Sequence, residues 1–226
     1  MTIQIEVISD VVCPWCYIGK RRLEQALQMR AAQGNAAPVC VRWRPFQLNP
    51  DIPENGVERA EYVRRKFGDR AGQIYARVAA VGASVGIPFA FDRITRQPNT
   101  LAAHQLITWA GEGGHEDAVH RQDRMVERLF RAYFLEGADL TQREVLLGLA
   151  EQAGLEREAA AAALDDRDQR WAVQNDEQAA RALGVEGVPF FVFNRRLAVS
   201  GAHEPDVLLQ AMREAVRVGE SNSVPL

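Results

Sequence analysis

The sequence contains little cysteine and no long apolar run. Its 226 residues include only three cysteines, too few for disulfide bonds to stabilise a chain of this length. No apolar stretch approaches the roughly 18 to 20 residues that a membrane-spanning helix requires. We also find no internal repeat. These absences predict a protein that buries its own hydrophobic core, and they make each cysteine a candidate for chemistry.

The chain also lacks a strong charge of either sign. It has 27 basic and 30 acidic residues, and its formal net charge is −3. Because these charges are scattered, they argue against binding to nucleic acid or to an anionic membrane. The N-terminus lacks the basic start and apolar block of a signal peptide, and Ile3, Ile5 and Val7 alternate with polar residues as in a strand. We therefore expect the fold to begin at once and the protein to be cytoplasmic.

Two of the three cysteines lie together in the tetrapeptide Cys13-Pro14-Trp15-Cys16. This motif stands between a predicted strand, 3–8, and a helical pattern that begins at Pro14. The N-terminus of a helix stabilises a thiolate through free N–H groups and the helix dipole. Cys16, one helical turn further on, is close enough to attack a mixed disulfide formed at Cys13. The motif therefore predicts a thiol-disulfide redox centre with Cys13 and Cys16 as catalytic residues.

The remaining pattern divides the chain into a mixed α/β part and a helical part. A second strand is predicted over 39–46, and helical spacing then dominates to about residue 164. A further helix, two strands joined by a turn at 194–196 and a last helix follow. We interpret this order as a thioredoxin-like α/β fold with an all-helical domain inserted in the middle. The predicted division is 1–50 for the first thioredoxin-like part, 51–165 for the helical insertion, 166–218 for the second thioredoxin-like part and 219–226 for a tail.

Four blocks of the sequence carry a family resemblance. They are Ser9-Asp10-Val11-Val12-Cys13-Pro14-Trp15-Cys16-Tyr17-Ile18-Gly19, Arg44-Pro45-Phe46-Gln47-Leu48-Asn49-Pro50, Asn99-Thr100-Leu101-Ala102-Ala103-His104, and Gly187-Val188-Pro189 with Ser200-Gly201-Ala202. In this order they resemble the DsbA-like thioredoxin superfamily, most closely its FrnE-like branch of cytoplasmic disulfide oxidoreductases. Related 2-hydroxychromene-2-carboxylate isomerases and kappa-class glutathione transferases usually carry serine at the position of Cys13, so this cysteine favours the oxidoreductases.

The resemblance implies further site residues far from the motif in the sequence. Pro189 would follow a cis peptide bond opposite the cysteines, where the backbone of Val188 could pair with an extended substrate or with glutathione. Asn99 and His104 would lie on the helical insertion, which in DsbA-like proteins forms a roof over the redox centre, and would line the substrate pocket there.

Residues beside the cysteines allow more than one interpretation. Pro14 and Trp15 are expected to form an exposed contact surface for the substrate. Asp10 could accept a proton from the motif, destabilise a nearby thiolate by like-charge repulsion, or be a solvated loop residue. Cys40, in the second strand, is expected to be a small buried apolar residue. With a histidine it could instead complete a zinc site, but structural zinc usually recruits a second CxxC, which the sequence lacks.

We predict a thiol-disulfide oxidoreductase in which Cys13 exchanges with the substrate and Cys16 resolves the mixed disulfide. It would require no metal and no organic cofactor. The expected partners are thiols and disulfides of proteins or small molecules, with glutathione as a redox partner, and the chain would be a monomer or a homodimer. The alternative is a glutathione-dependent isomerase or transferase acting on an aromatic or polyketide-like small molecule. A third interpretation is a scaffold or holdase in which the CxxC is only a redox switch.

Overall fold

The computed structural model of the protein describes residues 2–34, 37–113 and 116–221. Its first three elements are β1 (Ile3–Ser9), α1 (Pro14–Ala32) and β2 (Val39–Pro45). The two strands are parallel, with Ile3 opposite Val39 and Ser9 opposite Pro45. Parallel neighbours require a crossover connection, which α1 supplies. The predicted strand-helix-strand unit is confirmed.

A helical region follows β2, and it also contains one short pair of strands. The α-helices are α2 (Arg59–Phe67), α3 (Ala71–Ser84), α4 (Leu101–Ala110), α5 (Glu116–Arg131), α6 (Arg143–Gln152) and α7 (Arg157–Asp165), and shorter 3-10 and π turns lie between some of them. Two-residue strands, β3 (Val57–Glu58) and β4 (Arg96–Gln97), pair antiparallel between them. The sequence analysis expects only helices in this region, because two residues are too few to show the alternation that identifies a strand.

The chain then returns to the sheet through α8 (Arg167–Ala182), β5 (Phe190–Phe193), β6 (Leu197–Ser200) and α9 (Pro205–Ser221). β5 and β6 form the predicted hairpin, whose turn holds Asn194 and Arg195 at φ of 50° and 56°. α9 includes 219–221, which the sequence analysis assigns to the tail. Glycine at position 219 weakens a helix by only about 1 kcal/mol relative to alanine, which does not by itself end it. Residues 222–226 lie outside the described part of the chain.

The four-stranded sheet has the order β2-β1-β5-β6, with β1 antiparallel to β5. Alternation along β1 turns Ile3, Ile5 and Val7 into the main core, which α1 and α9 also line. The opposite face carries Ile8, which packs with Ala180 of α8. Helices therefore cover both faces of the sheet, and the C-terminal end of β1, where the cysteine motif begins, lies between them.

The helical region is attached to α1 and β2 through α5. Tyr17 of α1 stacks on Phe130 with their ring centroids 4.9 Å apart. The side-chain amide of Gln122 accepts a hydrogen bond from the Trp43 N–H at 2.9 Å and donates one to the Trp43 carbonyl at 3.0 Å. Because β2 is an edge strand, this amide satisfies backbone groups that the sheet leaves unpaired. These contacts place the helical region beside the cysteine motif.

Within the described ranges, none of the helices combines the length and the apolar character needed to cross a membrane. α1 has 19 residues, but Lys20, Arg21 and Arg22 follow one another within it.

Candidate active site

The cysteine motif forms the junction between β1 and α1. Cys13 is the N-cap residue of α1 and Pro14 is the first helical residue, a position where the missing proline N–H leaves no hydrogen bond unmade. The N–H of Cys16 donates to the Cys13 carbonyl at 3.0 Å. Both cysteines are free thiols. The structure therefore places the motif at the strand-to-helix junction that the sequence predicts.

The motif is more buried than the sequence analysis expects. Cys13 has 4% of its surface exposed, and Cys16 has none. Pro14 and Trp15, predicted to form an exposed contact surface, are both half-buried. Trp15 packs against the hydrophobic core instead of standing free in solvent, because a large aromatic ring gains more by contact with apolar neighbours. Cys13 is nevertheless the more exposed residue of the pair.

The segment that precedes β5 lies directly against Cys13. The Cys13 thiol donates a hydrogen bond to the Val188 carbonyl, with 3.5 Å between sulfur and oxygen. The Val188–Pro189 peptide bond is cis, the isomer that the family resemblance implies. Gly19 of α1 faces Pro189 so closely that a Cβ there would lie 2.9 Å from the proline Cγ. The sequence analysis does not assign a role to this glycine, although it falls within the first family block.

Cys16 lies in surroundings that keep it protonated. Burial raises its pKa well above the ordinary value for cysteine, and a hydrogen bond and charge repulsion from Cys13 raise it further. The side chain of Ser9 and the backbone of Asp10 act in the opposite direction, since their hydrogen bonds stabilise the thiolate. Ser9 is thus a site residue that the sequence analysis does not single out.

Asp10 and His104 meet behind the motif. Asp10 is 1% exposed and His104 is 2% exposed, so Asp10 is not a solvated loop residue. One carboxylate oxygen of Asp10, Oδ2, accepts the Leu48 N–H at 2.8 Å. The other, Oδ1, lies 3.4 Å from Nε2 of His104. The angles between Asp10 Oδ1 and His104 Nε2 do not meet the criteria for a hydrogen bond. Neither of these two atoms has a hydrogen-bond partner within the described residues.

The side chain of Asn99 is fully engaged in hydrogen bonds with other residues of the protein. Its Oδ1 accepts hydrogen bonds from the Gln47 side chain at 2.9 Å and the Leu101 N–H at 3.0 Å. Its Nδ2 donates to the carbonyls of Ile52 at 2.7 Å and Pro50 at 3.3 Å. These contacts tie the loop after β2 to the start of α4. The predicted role of Asn99 in substrate binding is not supported by any of them and stays a prediction.

Cys40 is half-buried in β2 rather than buried, because β2 is at the edge of the sheet. It pairs with Gln4 on β1. Within the described ranges, no cluster of three or more histidine, cysteine, aspartate or glutamate side chains is arranged to hold a metal ion.

Cavities open along the sheet. One of about 500 Å³ is lined by Arg42, Arg44 and Arg195, and neither Cys13 nor Cys16 is among its lining residues. A much smaller cavity, about 10 Å³, is lined by Ser9 and His104 among other residues. The small cavity is the one next to the cysteine pair.

Comparisons with known proteins agree with this architecture. The chain matches the DSBA-like thioredoxin domain over residues 4–213. It is 26% identical over 220 residues to the uncharacterized protein YwbO of Bacillus subtilis (strain 168), which covers 95% of this chain and 98% of that protein.

Solved structures with the same fold include three informative neighbours. A probable DsbA oxidoreductase from Streptomyces coelicolor is 30% identical, with a TM-score of 0.83 over 99% of this chain and 92% of that chain. The cytosolic disulfide reductase DsbM from Pseudomonas aeruginosa, solved with GSH, is 22% identical, with a TM-score of 0.59 over 96% and 98% of the two chains. A 2-hydroxychromene-2-carboxylate isomerase is 18% identical, with a TM-score of 0.67 over 98% and 100%.

These neighbours are consistent with the FrnE-like branch that the sequence indicates. The match to the DSBA-like thioredoxin domain extends over most of the length of the chain, so the chain belongs to the DSBA-like thioredoxin domain family.

Proposed function

We propose that the protein is a thiol-disulfide oxidoreductase whose redox centre is Cys13 and Cys16. The observation that carries the proposal is the pair of free thiols at the N-terminus of α1, of which Cys13 is 4% exposed and Cys16 is fully enclosed. A reversible disulfide between such neighbours requires neither a metal nor an organic cofactor. The Streptomyces coelicolor relative is described as a probable DsbA oxidoreductase, which supports the same chemistry here.

The proposed reaction has two exchange steps. Cys13, as a thiolate at the helix N-terminus, attacks one sulfur of a substrate disulfide. The substrate S–S bond breaks, and its second sulfur leaves as a thiolate with the bonding electrons. Cys16 then loses its proton and attacks the Cys13 sulfur, which releases the first substrate sulfur as a thiolate. The substrate gains two electrons and Cys13 and Cys16 become joined; the reverse sequence oxidises a dithiol.

The residues around the Cys13 sulfur determine which substrates can reach it. Pro14, Trp15 and Val188 are half-buried beside it, and Pro189 is buried behind Val188. We propose that these four residues contact the substrate. The Val188 carbonyl, which accepts a hydrogen bond from the Cys13 thiol in this structure, would accept one from the substrate instead. An extended backbone or a small thiol fits such a site, because the contact is made through main-chain atoms.

We propose glutathione as the small-molecule redox partner of the protein. We propose the cytoplasm as the compartment in which the protein acts. The related DsbM was solved with GSH and is described as cytosolic. Glutathione is small, and its peptide backbone can pair with an extended strand end. Two glutathione molecules would reduce the Cys13–Cys16 disulfide and leave as glutathione disulfide, so that the atoms and electrons balance.

Trapping of the mixed disulfide tests the proposal. Reduced Cys16→Ser protein incubated with glutathione disulfide should accumulate one glutathione on Cys13, because the attacking sulfur of the second step is gone. The measurement is intact mass followed by peptide mapping. Wild-type protein should finish with an internal disulfide and no adduct, and Cys13→Ser should form neither product.

Cys40→Ser is the matched control, since it removes the third thiol of the chain, away from the motif. It should behave as wild type. Glutathione found on Cys40 but not on Cys13 in the Cys16→Ser protein would show that the motif is not the redox centre.

The isomerase or transferase alternative remains open as a prediction. The 2-hydroxychromene-2-carboxylate isomerase shares the fold with this chain. Turnover of an aromatic or polyketide-like compound in the presence of glutathione by a Cys13→Ser, Cys16→Ser double variant would favour this alternative, since no disulfide exchange at the motif could then occur.

A further inference from the structure

We propose that the cavity lined by the first half of β1 binds a small molecule that carries a diphosphate group. The redox centre takes no part in this site, because neither Cys13 nor Cys16 lines the cavity. The cavity would give the protein a second ligand besides the thiols and disulfides that react at the motif.

The cavity extends across three neighbouring parts of the four-stranded sheet. β1 contributes Gln4 and Glu6, β2 contributes Arg42 and Arg44, and the turn between β5 and β6 contributes residues 194–196. Since β1 lies between β2 and β5 in the sheet, its side chains form the floor, and those of β2 and the turn form two facing walls. The volume of about 500 Å³ is within the range of about 300–1,000 Å³ that small-molecule sites have.

Alternation along the strands places these side chains on one face of the sheet. Val7 of β1 and Trp43 of β2 turn into the main core, so Glu6 and Arg42, which are opposite each other in the register, turn to the other face. Further along β1 on that face, Ile8 packs with Ala180 of α8. Gln4, at the opposite end of the strand, is exposed, so the cavity opens to solvent there.

Positive charge is concentrated in this cavity. Arg42, Arg44, Arg195 and Arg196 line it, and Glu6 is the acidic residue among its eight lining residues. Asp176 of α8 adds a second carboxylate, because it pairs with Arg44 at 2.9 Å. Four positive and two negative charges leave a local charge of +2, whereas the whole chain has a net charge of −3. A positively charged cavity of this kind attracts anions.

The guanidinium groups are not satisfied by the protein itself. Nη2 of Arg44 and Nη2 of Arg195 both lie 3.7 Å from the same Glu6 oxygen, Oε1, which is too far for a hydrogen bond. Arg42 and Arg196 are exposed, and within the ranges that the structure describes they form no ion pair. Both walls therefore present N–H donors that a ligand can use.

The chemistry of these donors favours phosphate over other anions. A guanidinium is planar, and its N–H groups form a fork that matches two oxygens of one phosphate group. A diphosphate has two such groups, so that the arginines of β2 and those of the turn can each contact one. Thr2 and Gln4 also line the cavity, and their hydroxyl and amide can bond to the neutral part of the molecule. A nucleic acid strand would instead require an extended basic stripe.

Glu6 gives the proposal a second, opposite sign. Its carboxylate lies between the two walls, where it attracts Arg44 and Arg195 and would repel a phosphate. Loss of the Glu6 charge should therefore strengthen binding, whereas loss of an arginine charge should weaken it.

Isothermal titration calorimetry at low, constant ionic strength tests the proposal, with sodium pyrophosphate and ADP as the two probes. We expect one molecule of either probe to bind per chain. Arg42→Gln and Arg196→Gln should each weaken binding by about fivefold or more, because a hydrogen bond to a charged group is lost. Glu6→Gln should strengthen binding by about twofold to fivefold, as expected for a partly exposed charge. Added salt should weaken binding in every case.

The matched controls remove one charge of each sign far from the cavity lining. Arg64→Gln on α2 and Glu144→Gln on α6 are changes at exposed residues, and both variants should bind the probes as wild type does. No binding of either probe at millimolar concentration, or equal changes in the cavity variants and the controls, would overturn the site. Tighter binding of a single-stranded oligonucleotide or of anionic lipid vesicles than of either diphosphate would overturn the assignment to a small molecule.

Discussion

The first turn of α1 and the turns that follow it differ in their surroundings. Cys13 and Cys16 contact neutral groups, the Val188 carbonyl and the Ser9 side chain. One turn later, Lys20 is 3% exposed and lies 2.5 Å from Glu24 and 3.1 Å from Asp123. The ion pair of the buried Lys20 with Asp123 holds α1 on α5, whereas the cysteines have the Val188 carbonyl, the Ser9 side chain and the backbone of Asp10 as neighbours. The contacts that anchor α1 and the two reactive cysteines therefore lie on separate turns of one helix.

The strongest test of this separation is removal of the buried cation. Lys20→Met leaves Glu24, Asp123 and Glu127 with fewer positive partners, and breaking a buried ion pair typically costs about 3–5 kcal/mol. Because Glu24 and Asp123 are 37% and 44% exposed, solvent relieves part of the loss, and we expect a decrease of about 2–3 kcal/mol in the free energy of unfolding. Urea denaturation measures it.

The reaction of Cys13 with Ellman's reagent should keep its wild-type rate in Lys20→Met, measured under conditions where the variant is folded. Arg64→Met, on the exposed surface of α2, is the control and should change stability little. A Cys13 reaction slowed together with the loss of stability would show that the two turns are coupled.

A smaller effect is expected at Gly19, which lies between the two regions. Gly19→Ala would place a Cβ 2.9 Å from Pro189 Cγ and 3.2 Å from Phe191 Cζ. Overpacking of this kind costs about 1–3 kcal/mol, and the better helix propensity of alanine returns up to about 1 kcal/mol. We therefore expect the free energy of unfolding to fall by about 1–2 kcal/mol in thermal unfolding measurements. We also expect Cys13 to react more slowly with Ellman's reagent, because the added methyl group displaces Pro189.

Gly148→Ala is the matched control, because a Cβ at this α6 position would meet nothing within 4 Å. It should stabilise the protein by up to about 1 kcal/mol. Equal stability changes in the two alanine variants would mean that the contact of α1 with Pro189 is loose.

The smallest expected effect concerns the pH dependence of the anchor. Burial alone would raise the pKa of Glu127, but the hydrogen bond from Arg21 and the charges of Lys20 and Arg21 outweigh it and hold the pKa below its ordinary value. A carboxyl with a lowered folded-state pKa contributes stability above its unfolded pKa, about 4.3 for glutamate. It loses this contribution as the pH falls through the folded-state pKa.

Glu127→Gln should therefore be less stable than wild type at neutral pH, by about 1 kcal/mol, and the difference should shrink as the solution is acidified. Unfolding free energies across the acid range provide the measurement. Glu144→Gln, at a position 77% exposed, should show almost no difference at any pH. A gap for Glu127→Gln that widens in acid would contradict the assigned direction of the pKa.

Local patterns predict much of the fold around the motif. Alternation in β1 and the helical period after Pro14 identify the strand-to-helix junction, and the hairpin turn at 194–196 follows from its polar residues between two apolar runs. The two-residue strands β3 and β4 show no such period, so they are missed. The half-burial of Trp15 is not predictable from the sequence either, because exposure depends on which apolar neighbours fold over the ring.

The candidate site divides in the same way. The spacing of the two cysteines and the proline between them are enough to predict two thiols one turn apart at the start of a helix, because these effects act within a few residues. The burial of His104 against Asp10 and the hydrogen bonds of Asn99 to the loop after β2 follow from the packing of the folded chain. Both residues belong to one sequence block, but their surroundings come from distant segments, and burial is a property of the packed chain rather than of any short stretch of it.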